Sequence, residues 1–183
     1  EPLFFLDYLG TGELKPKVFG QILAGFAQGC AENNCALIGG ETAQMPGFYQ
    51  KGEYDVSGTI VGVVDKAKML DGRGIKPGDA VIGIASSGLH TNGYSLARKV
   101  FFETLKLKPH TRLAELGCSV GDELLKVHRS YGPLVQALLK IYNKPRCVRV
   151  IKGLAHITGG GFIDNIPRVL PSKCGVKIER GSW

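Results

Sequence analysis

No apolar run in this chain approaches the ~18–20 residues that a membrane-spanning helix requires. The longest candidate, Thr59 to Val64, is short and interrupted by Gly62. A transmembrane helix is therefore excluded, and no membrane partner is expected. Cysteine is sparse and unpaired. Cys30, Cys35, Cys118, Cys147 and Cys174 make an odd number, with no C-x-x-C pair and no histidine at zinc-like spacing. This pattern argues against a disulfide scaffold and a structural zinc site. Cys30, Cys147 and Cys174 have apolar or small neighbours and read as small core residues, with a reducing compartment as the default. Internal repeats, low-complexity tracts and a signal-peptide pattern are also missing. The chain opens on Glu1-Pro2 without an initiator methionine and stops at Gly181-Ser182-Trp183, so the expectation is an internal piece of a longer protein.

What is present is the composition of an ordinary globular protein: 44% hydrophobic and 21% charged residues exclude a disordered or fibrous chain. Glycine is the outlier. Its 26 residues are about twice the usual ~7%, and they are grouped, as loops shaped around a ligand would be. Charge is uneven as well. Residues 1–65 hold three basic and eight acidic residues, a net −5, whereas residues 66–183 hold 20 and eight, a net +12. The change falls in DKAKMLDGRGIKPGD, Asp65 to Asp79, which concentrates Gly, Pro and charge like a surface turn or linker. Two units are expected, 1–68 and 69–183.

In the first unit, Phe4 to Tyr8 reads as a strand. Pro16 opens a helix in which Val18, Ile22, Phe26 and Cys30 recur at helical spacing, ended by Asn33-Asn34. Cys35 to Ile38 reads as a short buried strand running into Gly39-Gly40, and Tyr54 to Val64 as a longer one. The latter is too apolar for an open edge and is expected to be covered by a neighbouring strand or a partner subunit. In the second unit, strands are expected at Ala80–Ala85, Val148–His156 and Val176–Glu179. Helices are expected at about Tyr94–Leu105, Ser130–Tyr142 and Phe162–Leu170. Alternating elements make both units α/β or α+β.

Three segments place polar side chains between glycines directly after a strand, where exposed backbone N–H groups can meet an anion. In GGETAQMPG (Gly39–Gly47), Glu41 can hold a magnesium ion or accept a proton, or else cap the following turn. In SSGLHTNGYS (Ser86–Ser95), six hydrogen-bonding side chains crowd into ten residues, more than a helix cap needs. Ser87 and Asn92 are candidates for ligand contact, and His90 for contact or acid/base work. In HITGGGFIDNIPR (His156–Arg168), Gly159, Gly160 and Gly161 could wrap a phosphate with help from Asn165 and Arg168. The alternative is a tight turn capped by Asp164 and Asn165. This segment is neither a Walker loop nor a dinucleotide fingerprint.

Taken in order, FFLDYLGTGEL, GCAENNCALIGGETAQMPGFY, YDVSGTIVGVVDK, SSGLHTNGYSLARK and AHITGGGFIDNIPRVLP resemble the aminoimidazole ribonucleotide synthetase (phosphoribosylformylglycinamidine cyclo-ligase) family. Only about 101–148 is unspecific. The resemblance implies the two-domain α/β scaffold of an ATP-dependent synthetase superfamily. It places 1–68 in the second half of an N-terminal, ATP-binding and dimer-forming domain, and 69–183 in the first half of the C-terminal domain. It further implies a cytoplasmic homodimer of purine biosynthesis that uses ATP and Mg2+ to close the ring of formylglycinamidine ribonucleotide. On this reading Glu41 (metal or proton transfer) and His90 are catalytic. Ser87, Asn92, Gly159, Gly160, Gly161, Asn165 and Arg168 bind the ribonucleotide. The family commonly has Glu where this chain has Gln44, and the expectation is that the change is tolerated because Glu41 is intact.

Other members of the superfamily are the alternatives: selenophosphate synthetase, thiamine-monophosphate kinase, a hydrogenase-maturation protein and formylglycinamide ribonucleotide amidotransferase. An inactive piece is another. A nucleic-acid-binding module is disfavoured, because Lys66, Arg98, Lys106, Lys126, Arg146 and Lys173 are scattered without a stripe or interleaved stacking aromatics.

Overall fold

A computed structural model describes residues 1–145 and 147–181. Arg146 and the terminal Ser182-Trp183, all named above, lie outside the described residues. The chain forms two compact units, Glu1–Met69 with Ser130–Ile141, and Leu70–Arg129 with Tyr142–Trp183.

In the first unit, strand β1 (Pro2–Thr11) lies between β2 (Ala36–Gln44), which runs parallel to it, and β3 (Tyr54–Gly62), which runs antiparallel. Helix α1 (Pro16–Glu32) makes the crossover that a parallel pair requires. Pro16 starts it at a position where a missing N–H costs nothing. Asn33 ends it, donating from Nδ2 to Gly29 O at 2.8 Å. The face carrying Val18, Ile22, Phe26 and Cys30 is its less exposed one, and Phe26 meets Phe5 of β1 at 5.6 Å between ring centroids. Phe5 also lies over Gly58 of β3, where any Cβ would run into its ring. Leu9 and Thr11 are the most buried positions of the sheet.

The pairing of β3 with β1 supplies the neighbouring strand expected for it, along one of its two edges. Val56 stays half exposed and Ile60 more than half. Residues 130–141, placed in the second unit by charge, pack with the first. There Ser130 Oγ donates to Asn33 Oδ1 at 2.9 Å, just ahead of the helix over Gly132–Tyr142, α4 in chain order.

The second unit holds a helix α2 (Tyr94–Arg98) that widens into a π-helical segment over Lys99–Thr104. A two-residue ladder joins β4 (Arg112–Leu113) and β5 (Cys118–Ser119), and α3 (Val120–Leu124) follows with a complete Ser119/Asp122 capping box. Last comes α5 (Gly161–Asn165), extended by a 3-10 turn over Ile166–Val169.

The three strands expected at 80–85, 148–156 and 176–179 do not form ladders. A strand is defined by its partner, and among the described residues no backbone edge faces these segments. Side chains stand in at two places. Asn143 Oδ1 accepts from the amides of Val150 (3.1 Å) and Ile151 (2.9 Å), while its Nδ2 donates to Ile151 O (2.8 Å), copying one rung of a sheet. Arg129 Nη1 donates to Ala85 O at 3.0 Å. The cysteine expectation also needs correction: Cys30 is buried, but Cys147 is exposed and Cys174 half-buried, because the extended segments beside them lack a covering layer.

Candidate functional site

Glu41 is a strand residue, not the first residue of a loop. Beyond Leu37, β2 takes one extra residue, Ile38, relative to β1, and pairing resumes at Leu6 with Gly39. Such a bulge lets a strand absorb a glycine pair without ending. Gly40 then sits where a Cβ would strike the Asp7 carbonyl, so only glycine lets the strands stay paired there. Glu41 pairs with Tyr8 and is exposed, whereas Asp7 pairs with Gly40 and is 9% exposed. Because sheet faces alternate, the two carboxylates point to opposite sides. Gln44 makes a bond of its own, in which its Oε1 accepts from Leu14 N–H at 2.9 Å and ties β2 to the turn after β1. A Glu oxygen would accept there equally well, so the substitution keeps that bond.

In the second unit, the 86–93 loop is built around His90. His90 (φ 50°) and Thr91 (φ 62°) are consecutive non-glycine residues in the left-handed region, a strained arrangement held by local bonds. The amide of Ser87 donates to His90 Nε2 at 2.8 Å, and Ser87 Oγ lies 2.7 Å from the same nitrogen while donating to Val127 O at 2.9 Å. Asn92 Nδ2 donates to His90 O at 3.0 Å. Since a backbone amide can only donate, Nε2 is an acceptor and the proton of the neutral ring resides on Nδ1. His90 is 8% exposed.

His128 stacks on His90 with centroids 4.2 Å apart and planes 16° apart, and lies 5.9 Å from His156. Burial, then the neighbouring His90 and His156, push the His128 pKa below the ordinary histidine value. His128 thus links the 86–93 loop to the glycine loop that begins at His156.

That glycine loop is clipped by Asn165, which is 3% exposed. Its Nδ2 donates to Thr158 O (3.3 Å), Gly159 O (3.1 Å) and Gly161 O (2.8 Å), and its Oδ1 accepts from Thr158 Oγ1 (3.0 Å). Asn165 therefore shapes the loop from within. The Gly161 amide is bonded to Thr158 O at 3.0 Å, and a Cβ at either Gly159 or Gly161 would meet open space. Gly160 and Gly161 take φ of 87° and 61°, which a side chain would strain. His156, Thr158, Asn165 and Arg168 line a concavity of about 410 Å³ together with Asp71. The site so assembled joins two loops of one unit through a histidine stack, with Arg168 as a cation on the wall. Glu41 belongs to the other unit.

Reading the sequence did not find His128 or His156 as site residues, nor that Asp7 is buried in the sheet. A charge inside the apolar run FFLDYL is the signal that marks Asp7, and a histidine at the head of the glycine loop marks His156. His128 sits in HRS, a stretch with no motif.

These features describe a mixed α/β protein with loop-built polar sites. The AIR synthase related protein, N-terminal domain, matches residues 1–64, and the AIR synthase related protein, C-terminal domain, matches residues 76–182. The chain belongs to the AIR synthase related protein family. It is 52% identical, over all 183 residues, to the phosphoribosylformylglycinamidine cyclo-ligase of Syntrophotalea carbinolica, covering 50% of that protein. It is 54% identical to that of Acetivibrio thermocellus (52% covered) and 50% identical to that of Geobacillus thermodenitrificans (51% covered). The chain spans about half the length of the curated relatives it matches. Among the described residues, no helix is long and apolar enough to cross a membrane.

Proposed function

We propose that this chain is the central part of a cytoplasmic phosphoribosylformylglycinamidine cyclo-ligase of purine biosynthesis. Residues 1–68 would form the second half of its N-terminal domain and 69–183 the first half of its C-terminal domain. The observation that carries this is identity of about half of all residues, end to end, with proteins bearing that name. The reaction begins with an amide oxygen, a poor leaving group. Transfer of the ATP γ-phosphoryl group to that oxygen releases ADP. The amidine nitrogen then attacks the carbon, the C–O bond breaks, inorganic phosphate departs and the ring nitrogen loses a proton. Such chemistry needs positioning and neutralisation of phosphate charge more than covalent help.

Arg168 and the Gly159 amide would receive the ribonucleotide phosphate, on a loop shaped by Gly160, Gly161 and Asn165. Ser87, His90 and Asn92 would orient the open-chain formylglycinamidine portion. With Nε2 occupied by Ser87, the contribution of His90 is to order that loop and to act through it. Glu41 would accept a proton or serve as one ligand of magnesium. Among the described residues no three His, Cys, Asp or Glu side chains group to hold an ion, so Glu41 alone does not make a metal site. A homodimer through the outer edge of β3 accounts for its exposed valine and isoleucine.

The test is turnover of the full-length protein. Arg168→Ala should raise the apparent constant for formylglycinamidine ribonucleotide about 10-fold or more, since one charge-assisted contact is worth ~1.5–3 kcal/mol, with little change for ATP. A loss of ATP affinity with the ribonucleotide unaffected would reverse the assignment. ATP consumption with selenide or thiamine monophosphate instead would place the protein in another branch of the superfamily.

A further inference from the structure

We propose that His128 is a positioning residue for the 86–93 loop: stacked on His90, it fixes the plane in which His90 Nε2 meets the Ser87 amide and hydroxyl, and so holds Ser87 and Asn92 in place. That this loop handles substrate rests on the reading above, but the positioning argument does not.

The loop carries two successive left-handed residues, His90 and Thr91, and such a conformation persists only where surrounding groups over-determine it. Hydrogen bonds fix the edge of the His90 ring. Ser87 N–H donates to Nε2 at 2.8 Å, and Ser87 Oγ at 2.7 Å is itself anchored on Val127 O. The Thr91 hydroxyl and Asn92 Nδ2 both donate to the His90 carbonyl. None of these bonds sets the tilt of the ring about its own edge. A group against the face does, and His128 supplies one, at 4.2 Å and 16°.

His128 is in turn fixed from the loop it supports. The single Thr91 hydroxyl proton is given to His90 O, so Thr91 Oγ1 is an acceptor toward His128 Nδ1 at 3.4 Å. A proton on Nδ1 of each ring follows from the two arrangements. The titratable groups bearing on His128 include His90 on one face and His156 at 5.9 Å. Packed among groups that become cationic, a neutral ring stacks closely and a charged one is opposed, in keeping with the lowered pKa of His128.

The experiment uses the 15N-labelled full-length protein at about pH 8, above the ordinary histidine pKa. Imidazole 15N–1H correlation reads the His90 tautomer, and amide exchange reads the Ser87 bond. The native chain and His128→Phe, which keeps a flat ring, should both show His90 in the Nδ1–H form with a protected Ser87 amide. His128→Ala should show mixed His90 tautomers and Ser87 exchange faster by about 10-fold or more. His128→Leu, which fills the space without a flat face, should behave like the Ala variant and decides the matter if the latter does not fold. A native His90 in the Nε2–H form overturns the proposal, as does a Leu or Ala variant indistinguishable from the native chain. No arm contains substrate, so failure here and failure of the cyclo-ligase reading are separate outcomes.

Discussion

At the scale of single residues, the chemistry divides between groups that face outward and groups spent on holding loops. Glu41 is of the first kind. It is exposed on β2, and exchange for the isosteric amide leaves the strand pairing untouched. In the full-length protein Glu41→Gln should lower turnover about 100-fold or more, with an unchanged circular dichroism spectrum, if its carboxylate moves a proton or holds metal. Unchanged turnover would leave it a surface residue. His128 is of the second kind, and its titration has a sign that can be worked out. Its pKa is lowered in the folded chain, so between the folded and unfolded values the unfolded state binds the extra proton. The stabilisation is complete above the ordinary histidine range and is lost as the pH falls through it. Urea midpoints measured between about pH 8 and pH 5 should therefore fall more for the native chain than for His128→Phe. Equal slopes would mean that the ring is not held neutral by its surroundings.

Elements differ in how far their own residues determine them. Helix α1 was legible because its period, its opening proline and its closing asparagines are all internal to the segment. The loops around His90 and Gly159–Gly161 were legible too, since polar side chains crowd between glycines there. The segments at 80–85 and 148–156 look equally strand-like in composition, yet they form no ladder, because pairing depends on an edge supplied from elsewhere in the chain. The same dependence hid the continuation of β2 through Gly39-Gly40: two glycines read as a strand end until the bulge against β1 is seen. His128 escaped notice for a related reason, since its importance lies in the ring it touches and not in its neighbours in sequence. Hydrogen exchange should reflect the difference between elements. Amides of β1, bonded on both edges, should exchange slowest, and those of 80–85 and 148–156 among the fastest, with Val150 and Ile151 slower than the rest of their segment because Asn143 accepts from both. Uniform protection across these segments would show that they are paired in solution.

For the molecule as a whole, the notable quantity is the apolar surface left uncovered. Among the described residues, Leu9, Cys30, Cys35, Val120 and Leu124 are the buried apolar side chains, while Ile82, Val127, Val148 and Ile163 are each more than four-fifths exposed. Surfaces of this kind are ordinarily covered by other protein. The 183-residue chain by itself should bind a hydrophobic dye and self-associate, whereas the full-length protein should do neither beyond a dimer. Sedimentation of a stable full-length monomer at micromolar concentration would contradict the homodimer through β3. A last consequence follows from the order of strands in the first sheet. Of these three strands the central one is made first and both flanking strands later, so during translation Phe5 leaves the ribosome 55 residues ahead of its antiparallel partner Ile60. At ~5–20 residues per second that is a wait of roughly 3–11 s, in which α1 and β2, both made before β3, are the parts of this unit at hand to cover the run FFL.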